Sequence, residues 1–204
     1  MDQMTQRILD AEWTMFDKVH NIGGRAGCQD DRDRFFLNRA GQLLAWSEEM
    51  RESYAADLGR AKLEGRNLLS EKYGYMMERT SPVEYERIRE RLPVRSKEKL
   101  ELMEFICRVQ VGWLRALSET YPVLTGRGRN VGRDEDSLFA TSFETYLWGE
   151  LGTYSVRTLQ LYRQHVEKLL ETGGNLHREV LRYTVTGYGF SSLDDAEQHL
   201  AQGQ

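Results

Sequence analysis

Only two cysteines, Cys28 and Cys107, and three prolines occur in the 204 residues. Two thiols in dissimilar surroundings make neither a disulfide framework nor a metal knuckle, and a reducing compartment is the simplest reading. No run approaches the roughly 20 apolar residues needed to cross a bilayer. The start, Met1 to Asp10, lacks the basic and then apolar stretch of a signal peptide. The expectation is a cytoplasmic protein with no membrane partner. Positive charge is also in deficit: 28 Lys and Arg stand against 32 Asp and Glu, a net charge of −4. That balance gives no general attraction for nucleic acid, and none is expected as a partner.

Catalytic and metal signatures are missing as well. None of the four histidines, His20, His165, His177 and His199, follows a glutamate by three residues, the spacing that helical di-iron proteins need. There is no His-Glu-x-x-His, Gly-x-Ser-x-Gly or Cys-x-x-Cys. Neither a metal nor a cofactor is expected.

What is present is helical patterning. Residues 5–20 place Ile8, Met15, Phe16 and Val19 on one face, and Gly23-Gly24 breaks that helix. Asp30 or Asp31 opens the next, which carries Phe35, Phe36, Leu43, Leu44 and Trp46 inward. Ser47 starts a helix to about 66, and a short one spans 71–78. Ser81-Pro82-Val83-Glu84 opens a helix over 82–91 that Pro93 ends. Ser96 caps a long core helix with Leu102, Ile106, Val109, Trp113 and Leu117 at spacings of three and four, and Pro122 stops it. Residues 125–136, with three glycines and three arginines, read as the longest loop. Thr141 and Glu144 form a capping box for a helix from Phe143 to Gly173-Gly174, kinked near Gly149 or Gly152. Leu176 to Tyr183 reads as helical, Tyr183-Thr184-Val185-Thr186 as a short strand, and a last helix starts at Ser191 or Ser192. The fold class is all-α: one domain over 1–204, a helical bundle or orthogonal helical array with at most a minor C-terminal strand. Dimerisation is left open.

Three groups of residues carry chemistry in this reading. The glycine-rich loop from Asn21 to Asp31 offers Arg25 to a carboxylate or phosphate, with Gln29, Asp30 and Asp31 beside it. Within it Cys28 is either a nucleophile activated by Arg25 and a helix start, or a small packing thiol. Second, polar residues interrupt apolar stripes: Glu12 among Ile8, Met15 and Val19, Arg39 and Gln42 between Phe35 and Trp46, and Glu144 ahead of Leu147 and Leu151. Charge that faces inward must pair, shift its pKa or meet a wet cavity. Glu12 is therefore either a general acid or base in a polar pocket or half of a buried pair with Arg39, and Glu144 is a ligand contact or a cap. Third, Gly126 to Arg133 lacks the strand and Lys-Ser/Thr of a phosphate loop, and reads as a solvated basic loop or as a lid. The function expected is an enzyme or binding protein for a small polar or anionic molecule. The alternative is a non-catalytic structural or protein-interaction module.

Several stretches also resemble a known family. They are Glu12-Trp13 with Phe16, Gly23-Gly24-Arg25-Ala26 with Cys28-Gln29-Asp30-Asp31, Glu64-Gly65-Arg66-Asn67-Leu68, Glu71-Lys72-Tyr73, and Ser142 to Leu147 with Gly149-Glu150-Leu151 and Thr153-Tyr154-Ser155. Over about 10–175 the chain resembles a bacterial family known as Domain of Unknown Function 4125, leaving about 176–204 as a C-terminal extension. The resemblance implies a bacterial source. It supplies no reaction, so no catalytic residue is carried over from it.

Overall fold

The computed structural model describes residues 1–20, 24–137 and 140–203. Among them are eleven α-helices and no strand. In chain order they are α1 (Gln3–Phe16), α2 (Arg32–Leu44), α3 (Glu48–Leu63), α4 (Leu68–Thr80), α5 (Pro82–Ile88), α6 (Lys97–Thr120), α7 (Pro122–Gly126), α8 (Phe143–Thr153), α9 (Val156–Glu171), α10 (Leu176–Gly187) and α11 (Leu193–Ala201). None is long and apolar enough to cross a membrane.

The helix starts follow from short polar side chains that accept the unpaired amides of a first turn. Asp31, Ser47, Ser96 and Ser192 each accept a backbone N–H three residues on. At α8 the cap is Ser142 rather than Thr141, and its hydroxyl accepts the Thr145 amide. At α5 Ser81 makes no side-chain cap, and Pro82 alone marks the start. α4 begins earlier than the sequence pattern suggests, because the Asn67 side chain caps Leu69 and Ser70.

Three expectations are corrected. The helix from Phe143 is not one kinked rod but two, α8 and α9, broken at Tyr154, whose backbone is extended. Asp57 of α3, buried, accepts the Ser155 amide at 2.9 Å and the Thr158 hydroxyl at 2.7 Å, giving α9 an N-terminus of its own. Pro122 ends α6 and also opens the short α7. Residues 183–186 are not a strand but the last turns of α10, where Val185 is buried against α11. Burial on a helical face outweighs the β-branched content there.

One large core joins α1, α2, α3, α4, α6, α8 and α9, with Leu9, Leu43, Met50, Met103, Ile106 and Leu159 fully buried. α4 and α8 approach closely because Gly149 and Gly152 carry no side chain. A Cβ on Gly149 would stand 2.6 Å from the Lys72 carbonyl, and one on Gly152 would stand 2.8 Å from the Tyr75 ring. This contact sets Lys72 beside Glu150. A smaller cluster of Val185, Leu193 and Ala196, with Tyr121, Leu124, Leu181 and Phe190 against it, secures α7 and α11 to α10.

Candidate functional site

Four helices each send one charged side chain to the same buried place: Glu12 from α1, Arg39 from α2, Lys72 from α4 and Glu150 from α8. The side chains of these residues are 2, 11, 6 and 11% exposed. Arg39 is the hub. Its Nε donates to Glu12 at 2.8 Å and its Nη2 at 2.7 Å, while Nη1 donates to Glu150 at 2.6 Å and also to Gln42. Lys72 Nζ donates to the other oxygen of Glu150 at 2.8 Å and sits 3.5 Å from the centre of the Tyr146 ring. The hydroxyls of Tyr54 and Tyr154 donate to Glu12 and Glu150, each at 2.6 Å.

Two cations and two anions so placed cancel, which is what makes their burial tolerable. Burial alone would raise the Glu150 carboxyl, but the Arg39 guanidinium and the Lys72 ammonium outweigh it and hold Glu150 well below the usual carboxylate range. Burial would likewise lower Lys72 and Arg39. The carboxylates outweigh it, Glu150 for Lys72 and Glu12 with Glu150 for Arg39, so both are raised. Burial and the adjacent Glu12 and Glu150 raise the Tyr54 and Tyr154 phenols, which stay protonated and keep donating.

The network forms the floor of a cavity of about 460 Å³. Its walls include Phe16, Phe35, Leu69, Tyr73 and Tyr146, and its rim carries Cys28, Asp31, Arg34, Asn38 and Arg129. Asp31 is engaged as the cap of α2. Arg34 and Arg129 make no ion pair among the described residues. Arg129 lies over the Tyr146 ring at 4.4 Å and donates to the Thr141 carbonyl at 3.0 Å. Burial and the neighbouring Tyr146 push the Tyr73 phenol up to about 12, so it lines the wall as a neutral donor. No group of three or more His, Cys, Asp or Glu able to hold a metal occurs among the described residues.

The sequence-derived candidates divide. Glu12, Cys28, Asp31, Arg39 and Gln42 all line the cavity. Arg25, Gln29, Asp30 and Glu144 do not, and each has another task. Arg25 is exposed and clasps Asp17 and Asp30, both at 2.7 Å. Gln29 is buried, and its amide donates to the Phe16 and Val19 carbonyls at 2.9 and 3.0 Å, tying the α1–α2 connection to the end of α1. Residues 21–23 of that connection lie outside the described residues. Glu144 accepts the Arg133 amide at 3.0 Å and faces Arg79 and Arg133. The 125–136 segment is not all loop. It holds the end of α7 and a single turn at Arg133–Glu135, and Arg129 is stacked against α8.

Both oxygens of Glu12 accept hydrogen bonds from Arg39, and Oε1 also accepts from Tyr54. Cys28 is exposed on the rim and Cys107 is buried, with burial pushing the latter up to about 12. Lys72, Glu150, Tyr54 and Tyr146 went unselected from sequence. Their signal lay in helical spacing: Lys72 stands four from Leu68 and from Met76, and Glu150 three from Leu147 and four from Tyr154, all on buried stripes.

The chain belongs to the family described as a protein of unknown function, DUF4125, whose model matches residues 2–198. That span is wider than the 10–175 carried by the recognised motifs and includes most of α11. No curated protein and no solved structure matches the chain.

Proposed function

We propose that this member of the family binds a small anionic molecule in the cavity between α1, α2, α4 and α8. The observation that carries the reading is the pair of arginines at the mouth, Arg34 and Arg129, neither in an ion pair among the described residues, standing above a buried ammonium, Lys72. The four-charge floor is neutral by itself, so these two guanidinium groups give the opening its excess positive charge, reduced by Asp31 alone. Lys72 has three N–H donors, of which Glu150 takes one and the Tyr146 ring faces another. The remaining donor suits a carboxylate or phosphate oxygen, and Phe35, Tyr73 and Tyr146 suit an apolar or planar body. Arg39 and Glu12 act as frame, holding Glu150 and through it Lys72.

The experiment is native mass spectrometry of the protein purified from its own cells without denaturation, followed by thermal shift with butanoate and with inorganic phosphate. A retained species of small mass is expected, with a rise in melting temperature that Arg129→Gln or Lys72→Met reduces. A bare chain with no shift for either anion would instead support the second reading. In that reading the molecule is a non-catalytic interaction module, and the saturation of the Glu12–Arg39 pair favours it.

A further inference from the structure

A second cavity, of about 300 Å³, lies behind the first between α6, α7, α8 and α10. The two share four lining residues, Gln42, Arg129, Tyr146 and Glu150. Beyond that shared partition the second chamber differs in kind. Its wall is set by Leu114, Leu124, Leu147, Leu176, Val180 and Leu181, and its ionisable side chains are His177 and Tyr162. Burial pushes His177 down to about 4 and Tyr162 upward, so both are neutral near pH 7. Gln110, Ser118 and Thr125 add uncharged polar groups to this wall, but with six aliphatic side chains and no charge beyond the partition it favours an apolar occupant over an ion. At its partition it meets Arg129 and Glu150, groups that also line the anion cavity.

Resting on the anion-binding reading above, we infer that the two chambers serve one ligand, an amphiphile whose carboxylate or phosphate head lies by Lys72 and Arg129 and whose hydrocarbon body occupies the second chamber. The partition explains how the two ends are joined. Its Arg129 is exposed on a long side chain and can stay beside an anion while its stem follows an apolar chain. A small polar metabolite would use the first chamber alone and leave the second without purpose. A neutral lipid would not need the cations.

Calorimetric titration of the full chain with butanoate, hexanoate, octanoate and 1-octanol tests this. Affinity is expected to rise about fourfold per buried methylene from butanoate to octanoate, from the transfer free energy of one methylene group. Leu114→Trp and, on another helix, Val180→Phe fill the second chamber, and each should bind octanoate no more tightly than butanoate. Circular dichroism and melting curves identify whichever of the two keeps its fold. Phosphate binding, in competition with octanoate, reports whether the head site takes either anion. Butanoate bound with no gain on lengthening the chain would overturn the inference and leave the anion site standing. Octanol bound as tightly as octanoate would overturn the anionic head, and with it both readings. Binding of none of these ligands would likewise overturn both.

Discussion

Glu12 shows how a charged residue on an apolar stripe is resolved. Its carboxylate is almost wholly buried and shared between Arg39 and Tyr54, so replacing it by an amide removes one of the two negative charges that hold the guanidinium. Glu12→Gln is expected to destabilise the protein by about 3 kcal/mol in chemical denaturation, near the lower end of what losing one partner of a buried pair costs. A loss under about 1 kcal/mol would show that Glu150 alone suffices. His177 gives a pH signature. Its ring lies edge-on to Phe143, its Nε2 has no partner among the described residues, and burial lowers it from 6.5 to about 4. Between those values the unfolded chain binds a proton that the folded chain does not, so this contribution to stability is complete above about pH 6.5. It is lost progressively as pH falls to about 4. Denaturation at pH 7.5 and 5 should show that fall, and His177→Phe should flatten it. An unchanged slope in the variant would assign the effect to other groups.

Among the elements, the α4–α8 pair positions the site. Because a Cβ at Gly149 would meet both the Lys72 carbonyl and Met76, Gly149→Ala must push the two helices apart. A cost of about 1–3 kcal/mol is expected from overpacking, together with weaker butanoate binding as Lys72 and Glu150 separate. Gly59→Ala, in the exposed middle of α3 with nothing within 4 Å of the added carbon, is the control and should gain about 0.5–1 kcal/mol. Equal melting temperatures for the two variants would refute the close-approach argument. The elements were mostly legible beforehand, because Asp31, Ser47, Ser96 and Ser192 announce their helices by local chemistry. The α8–α9 break was not legible. Ser155 caps α9 locally by accepting the Thr158 amide at 3.2 Å, but its neighbours Gly149 and Gly152 drew the break elsewhere. The contact of Asp57 with Ser155 and Thr158, from about a hundred residues away in the chain, has no local pattern.

Across the whole molecule, the large core and the small cluster under α7 and α11 should differ in resistance to opening. Glu197 of α11 accepts the Val123 and Leu124 amides at 2.9 and 2.7 Å, so the two short helices depend on each other. In native-state hydrogen exchange their amides are expected to open together and well before those of α4 and α8, whose residues lie in the large core. Protection of α11 equal to that of α8 would contradict this. The same scale explains why the site was half visible in the sequence. Glu12, Arg39 and Gln42 stood out as polar residues on inward stripes. Which cation neutralises Glu150 is decided by the meeting of α4 and α8, and Arg25 drew notice for a loop composition that its contacts with Asp17 and Asp30 account for. The neutral quartet also sets rules of exchange for the chain as it diverges. Among the described residues Lys72 pairs only with Glu150, so this pair can be given up together, as Met and Gln, with the charge sum unchanged. Arg39 touches both carboxylates: removed with Glu12 it leaves Glu150 to Lys72, whereas removed alone or with Glu150 it leaves Glu12 without a cation. Arg39 is therefore the position at which substitution is least free, and the others can drift only in step with one another.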